Sequence, residues 1–362
     1  MKPYAEVQSE SPQPALIPRH AVLQMDAYHP PTNGRRNKLR LDFNENTVGA
    51  PAHVLDFIKR YVTAADLATY PEYEHALEDL AVHFSVGTDE LTLTNGTDEA
   101  IQLLVNTYVG DGDEVLMLRP SYAMYRFYSQ LAGAKIDEIE YRPGTLEFPL
   151  EELLDRITPA TRAVLISNPC NPTGTGTDRN AIGRILAKAV NAAVLVDEAY
   201  YEFSGITVLS LINAHPNLFV SRTFSKIYGL AAMRCGCLFS QGSNMAYVRK
   251  AQSPYSVTSL AAMAARIAVK DQKFVEDYVL EVLTARELLY VGLERLKISY
   301  VESQGNFVLF QAGARTSEIC DELRSRGILI RDRSHDLPGC LRVTVGTRDQ
   351  VQQFLDELEQ IW

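Results

Sequence analysis

The stretch "SRTFSKIYGLAAMRCG", residues 221–236, directly follows the apolar run Leu218, Phe219 and Val220. An uninterrupted apolar run of this length reads as a strand covered on both faces. Its continuation is not that of an ordinary strand end. Ser221, Arg222, Thr223, Ser225 and Lys226 come in quick succession, and Arg234 follows eight residues after the lysine. A lysine alone at a strand end is a solvated terminus. Hydroxyls and two cations around it predict a pocket for an anion with a reactive amine at its side.

Runs of the same kind recur on either side: "ELTLTN" (90–95), "EVLMLRP" (114–120), "KIDEIEY" (135–141), "RAVLISNP" (162–169), "AAVLVDEAY" (192–200) and "RCGCLFS" (234–240). Helical patterns lie between several of them, such as Ile101, Leu104, Val105 and Tyr108 at i, i+3, i+4 and i+7. This rhythm predicts an α/β fold, a large domain whose mostly parallel sheet is covered by helices on both faces. A long helix is expected over about residues 271–296, with Val275, Val279, Val282, Leu289 and Leu293 on one face. Beyond it, "NFVLFQ", "TSEICDELRSRG", "ILIRD", "CLRVTVGT" and "RDQVQQFLDELEQIW" follow in α+β order and predict a smaller domain. The expected division is an N-terminal arm over 1–46, partly disordered and packing on the small domain and the site, a large domain over 47–265 and a small one over 266–362.

Bulk properties narrow the function. The chain has 362 residues, 46% apolar and 22% charged, with a formal net charge of −10. That balance argues against a broad footprint on nucleic acid or an anionic membrane, so any anion must be held by a few placed groups. Five scattered cysteines match neither a zinc spacing nor a disulfide framework, no metal site is expected, and Cys235 and Cys237 read as core filler. With no secretory leader or membrane span in the pattern, the expected location is the cytoplasm.

In an open α/β sheet, ligands bind beyond the carboxyl ends of the strands. After "ELTLT" comes "NGTDEAI", where Gly96, Thr97 and Asp98 open a helix whose amides would face a phosphate; a plain helix cap is the alternative. After "AVLIS" comes the rigid "NPCNPTG", placing Asn171 at the cleft, although turn-making alone explains most such runs. After "AAVLV" comes "DEAYYEF", where Asp197 either faces a cationic partner or caps a helix, with Tyr200 in reach of the same ligand. One ligand reconciles all of these strand ends. Its phosphate meets Gly96, Thr97, Asp98, Thr223, Ser225 and Arg234, its protonated ring nitrogen meets Asp197, its ring oxygen meets Asn171 and Tyr200, and its aldehyde meets Lys226. That is the description of pyridoxal 5′-phosphate.

Together with "LDFNEN" (41–46), "TYP" (69–71), "RPSYAMY" (119–125), "GNFVLF" (305–310), "GILIRD" (327–332) and "GCLRVTVGT" (339–347), these motifs stand in the order of a known family. The chain resembles the class II pyridoxal-phosphate aminotransferases of fold type I, aspartate-aminotransferase-like in architecture, and most closely the histidinol-phosphate aminotransferases. The resemblance runs from about Ala21 to Trp362. It implies that Lys226 bonds the cofactor aldehyde and moves a proton at substrate Cα, that Asp197 keeps the ring nitrogen protonated, and that Tyr200 and Asn171 contact the ring oxygen. Tyr122 would stack on the ring, and Tyr70 would reach the partner subunit's cofactor phosphate in a homodimer with shared sites. The Asn171–Pro172 bond is expected to be cis.

The same resemblance implies histidinol phosphate and glutamate/2-oxoglutarate as substrates in histidine biosynthesis. Arg342 would take their anionic ends, Arg331 would complete the clamp with Arg333 nearby, and Tyr28 of the arm would close over the substrate. One departure stands out: Thr47 occupies a position where the family usually carries proline. An aromatic amino acid aminotransferase and a threonine-phosphate-type decarboxylase of the same fold are the alternatives. A ligand sensor of a transcriptional regulator is not expected, because the arm before Asp42 carries no basic DNA-binding module.

Overall fold

Strands without a polar face need cover on both sides, and the central strands here lie between two apolar clusters. The computed structural model describes residues 16–27 and 33–362. Tyr28 and the expected disorder at the start of the arm lie outside the described residues.

In chain order the strands are β1 (Leu39–Arg40), β2 (Leu91–Thr94), β3 (Glu114–Arg119), β4 (Lys135–Glu140), β5 (Thr161–Ser167), β6 (Ala193–Asp197), β7 (Leu218–Thr223) and β8 (Gly236–Phe239). They continue with β9 (Tyr300–Val301), β10 (Phe307–Gln311), β11 (Ile328–Leu329), β12 (Arg331–Asp332) and β13 (Cys340–Thr344). Strands β2 to β8 form one sheet in the order β2-β8-β7-β6-β5-β3-β4. The pairs from β3 to β7 are parallel, and β8 runs antiparallel to both β2 and β7.

Every residue of β6 and β7 is buried. Val194, Val196, Leu218 and Val220 join one apolar cluster, while Leu195 and Phe219 join the other, as the alternation of side chains along a strand requires. The edge strand β4 instead reads "KIDEIE", exposed at both ends and charged, which discourages pairing with another chain. Cys235 and Cys237 are buried in the first cluster.

The helix Gly96–Tyr108 starts immediately after β2 and buries Ile101, Leu104 and Val105. The long helix spans Gln272–Arg295, and the Asp271 side chain caps it by accepting from the Phe274 amide at 3.0 Å. Tyr278, Val282, Leu289 and Leu293 form its buried face. The second sheet has the order β12-β13-β10-β9, all antiparallel, and the closing helix Arg348–Ile361 packs on it through Phe354 against Phe310.

"ILIRD" is not one strand. β11 pairs in parallel with β1, Leu39 opposite Ile328, whereas β12 pairs with β13. The Leu39 and Leu41 amides bond the Gly327 and Leu329 carbonyls, so the backbone up to Leu329 serves β1 and only the residues beyond it serve the second sheet. The segment leading into the cleft is thereby tied to the C-terminal part of the chain. Thr47 also has a use that proline would forgo: its amide donates to the Tyr278 hydroxyl at 3.1 Å. No helix among the described residues is long and apolar enough to cross a membrane.

Candidate active site

The carboxyl ends of β2, β5, β6 and β7 open onto a cleft of about 590 Å³. Asp197 ends β6 opposite Ser221 of β7, so the register alone sets their side chains together. Its carboxylate accepts from the Ser221 hydroxyl at 3.0 Å and the Tyr125 hydroxyl at 2.9 Å. Burial pushes this acid up to about 6, against the pull of those two hydrogen bonds. It does not cap a helix, since the short helix Tyr201–Ser204 begins after Tyr200.

Lys226 projects into the same cleft, and its Nζ donates to the Phe43 carbonyl at 2.9 Å. Burial, with the charges of Arg342 and Arg234 behind it, brings the amine down to about 8. A lysine so placed holds a large neutral fraction near physiological pH, which both a nucleophile and a proton carrier need.

At the end of β2 the chain turns through Gly96 at φ +71°, and a side chain there would meet the Arg234 guanidinium at 2.7 Å. Asn95 lends no side-chain bond to the helix it precedes, so a plain cap is not what "NGTDEAI" builds. The Thr97 hydroxyl is buried with no hydrogen-bond partner. Arg234 reaches Asp98 at 3.2 Å, and the Asp98 carboxylate also accepts from Tyr122 at 2.7 Å. From β7, Thr223 and Ser225 complete this end, the Ser225 amide donating to the Thr223 hydroxyl at 3.1 Å. Helix amides without a side-chain cap, an orphaned hydroxyl and an arginine form a donor set that could hold a phosphate.

Tyr200 accepts from Asn44 at 3.0 Å and lies edge-on to Phe307. Asn171 lines the cleft and accepts from Arg342, and the Asn171–Pro172 bond is cis. Arg342 donates its other Nη to the Asp42 carbonyl at 2.7 Å, while its buried Nε has no hydrogen-bond partner. Burial lowers this guanidinium to about 10, so it stays charged at neutral pH. Arg331 stands directly opposite Arg342 in the β12–β13 pair, with Arg333 beside them on Asp336. Like charges placed opposite each other are unfavourable unless an anion lies between them.

The structure therefore gathers in one cleft Thr97, Asp98, Tyr122, Asn171, Asp197, Tyr200, Thr223, Ser225, Lys226, Arg234, Arg331 and Arg342, with Gly96 against Arg234. It does not bring in Tyr70, which is 74% exposed and stacked on Tyr255. Sequence reasoning missed Arg35 and Glu45, which line the cleft as an ion pair at 2.8 Å, and Tyr125 behind Asp197. Arg35 stands in a polar arm segment with no periodicity to mark it. Tyr125 had a usable signal, lying one helical turn after Tyr122 and hence on the same face.

The family model "Aminotransferase class I and II" matches residues 36–358, and the chain belongs to that family. The histidinol-phosphate aminotransferase of Symbiobacterium thermophilum is 34% identical over 335 residues, covering 90% of this chain and 91% of the relative. That of Roseobacter denitrificans is also 34% identical, covering 90% and 92%. Among solved structures, the Sinorhizobium meliloti histidinol-phosphate aminotransferase in complex with pyridoxal-5′-phosphate superposes with a TM-score of 0.84 at 22% identity, over 96% of this chain and all of the other. The fold is thus that of the fold-type I aminotransferases.

Proposed function

We propose that this protein is a pyridoxal-phosphate-dependent transaminase that exchanges an amino group between L-histidinol phosphate and 2-oxoglutarate, giving imidazole acetol phosphate and glutamate in histidine biosynthesis. The observation that carries the reading is the facing of Lys226, an amine brought down to about 8, and Asp197, a buried acid with no cation among its hydrogen-bond partners, across one cleft. The 34% identical relatives support the choice of substrate.

The residues present fit the cofactor. The orphaned Thr97 hydroxyl, the uncapped amides at Gly96–Asp98, Thr223, Ser225 and Arg234 would take its phosphate. Asp197 would meet the ring nitrogen, Asn171 and Tyr200 the ring oxygen, Tyr122 the ring face, and Lys226 the aldehyde. When bound, the group supplies an electron sink for charge developing at substrate Cα and a temporary carrier for the amino group.

The chain's own residues do the rest. Asp197, held by Tyr125 and Ser221, would keep a positive charge fixed at the ring nitrogen. Lys226 would take the proton from substrate Cα and hand it to the cofactor's former aldehyde carbon, C4′. Arg331 and Arg342 hold the phosphate of one substrate and the carboxylates of the other in turn, as a ping-pong exchange through one pocket requires. We further place Tyr70, beside Tyr255, in the subunit contact of a homodimer in the cytoplasm, where it would complete the partner's phosphate cradle. The arm (1–46), large (47–265) and small (266–362) domains divide the work, the large one holding the cofactor and the other two the substrate's anionic end.

Half-reaction spectroscopy tests this reading. Histidinol phosphate is expected to convert the cofactor to its amine form rapidly. No change with it, and a rapid one with phenylalanine, would overturn the substrate assignment in favour of an aromatic aminotransferase. Release of carbon dioxide from threonine phosphate would favour the decarboxylase.

A further inference from the structure

A second cavity of about 670 Å³ lies on the face of β7 that looks away from Asp197. Ser221 turns towards Asp197, and the next residue, Arg222, turns into this cavity. Its apolar walls include Val86, Leu209, Val275 and Val279. Behind its lining, the buried Glu198 accepts from Arg222 at 2.8 Å, from the Thr207 hydroxyl at 2.7 Å and from the Val208 amide at 2.6 Å. Arg222 also lies 3.7 Å over the Tyr201 ring, so this ion pair is satisfied within the protein.

Glu202 is different. Among the described residues it lines the cavity with no ion pair or hydrogen bond to another side chain or backbone, its polar support being its own backbone amide. Burial pushes the carboxyl up to about 7, Arg222 pulls it down, and Glu198 adds a further push upward. Nothing else lining the cavity supplies positive charge. His83 is held below its usual range by burial and by Arg222, and it is engaged with the Tyr228 hydroxyl at 3.1 Å and Gln272 at 3.3 Å. Glu276 adds another acid to the lining. The pocket is concave, its lining is shared between apolar and polar side chains, and it presents a carboxyl that no other described residue hydrogen-bonds, a combination suited to a small polar-headed molecule.

We infer that this cavity is a second binding site, for a small organic cation with an apolar body, whose ammonium or imidazolium N–H donates to Glu202. The body would rest on Val86, Leu209, Val275 and Val279. Glu198 adjoins Asp197 and Arg222 adjoins Thr223 in the chain, so the occupant would sit directly behind strand ends that form the active-site cleft.

The probe is N,N-dimethylbenzylamine, a tertiary amine that is cationic at neutral pH and cannot condense with an aldehyde. Calorimetric titration of the holoenzyme compares it with the anionic phenylacetate and the neutral benzyl alcohol, with and without saturating 2-oxoglutarate. Saturable binding is expected for the amine, weaker binding for the alcohol and none for the anion, with no displacement by 2-oxoglutarate. Glu202→Gln should weaken the amine about 30-fold or more, as loss of one partner of a recessed charge pair does. Val275→Trp, which fills the cavity from the long helix, should block binding while transaminase turnover persists. Absence of saturable binding, equal affinity for the three probes, unchanged affinity in the Gln variant or displacement by 2-oxoglutarate each overturns the site.

Discussion

On one wall of the active-site cleft, Asp197, Ser221, Thr223 and Lys226 come from two adjacent parallel strands and the turn that leaves them. On the opposite wall, Arg35, Glu45, Arg331 and Arg342 come from the arm, from β12 and from β13, held by pairs such as Arg35–Asp42 at 2.8 Å and Arg342 on the Asp42 carbonyl at 2.7 Å. The first wall is set by sheet register and cannot move without breaking the sheet. The second is assembled by side-chain bonds, local within the arm at Arg35–Asp42 and long-range from β13 to the arm at Arg342–Asp42. On the proposed function, the chemistry would fall on the rigid wall and the recognition of two substrates on the adjustable one.

The heaviest blow to the rigid wall is Lys226→Ala. Turnover should fall by about 10⁴-fold, the scale of a lost general acid–base group, and the test is steady-state kcat. In the intact apoprotein, capture of the cofactor aldehyde should speed up as pH rises through about 8, because the neutral amine is the attacking form. Stopped-flow absorbance reads that midpoint, and a value in the ordinary lysine range would show that burial does not tune this group.

Asp197→Asn should lower kcat by about 10²-fold or more, the scale of a lost preorganised charge. It should also stabilise the apoprotein at higher pH. An acid raised to about 6 by folding favours the native state below the ordinary carboxylate range, and that contribution is lost as pH rises through about 6. Above that point the wild-type apoprotein carries a buried unpaired charge that the variant lacks, a difference of about 3 kcal/mol at most. Melting curves of both proteins across this range should diverge with rising pH, and parallel curves would mean that the carboxyl is already paired.

On the adjustable wall, Arg331→Ala should weaken histidinol phosphate by about 30-fold, the loss of one charge-assisted clamp. It should leave cofactor affinity unchanged, and equal damage to both would erase the distinction between the walls. The smallest effect expected is that of Tyr70→Phe. If its hydroxyl reaches a partner's phosphate, cofactor affinity should drop about fivefold, the scale of one hydrogen bond, as measured by equilibrium dialysis.

The same contrast explains what could be read in advance. The central strands announce themselves by continuous apolar runs, and the residue after each run must lie at the cleft, so Asp197, Asn171, Gly96 and Lys226 were legible from position alone. Arg331 and Arg342 came from resemblance, and their cross-strand pairing was not visible because short antiparallel registers have no local signature. Arg35 and Glu45 were invisible for a different reason: they pair with each other and with near neighbours inside a polar arm, which offers no period to follow. The division of "ILIRD" was not visible, because nothing in five residues tells that the first two answer to β1 and the later ones to β13.

That division of "ILIRD" has a mechanical result. β1 rides on β11, and three residues past its end the Phe43 carbonyl receives the hydrogen bond of Lys226. Backbone therefore runs without a break from Arg331 in β12 through β11, and by pairing to β1, to the carbonyl that meets Lys226, so the anion-facing strand and the reactive amine share one support.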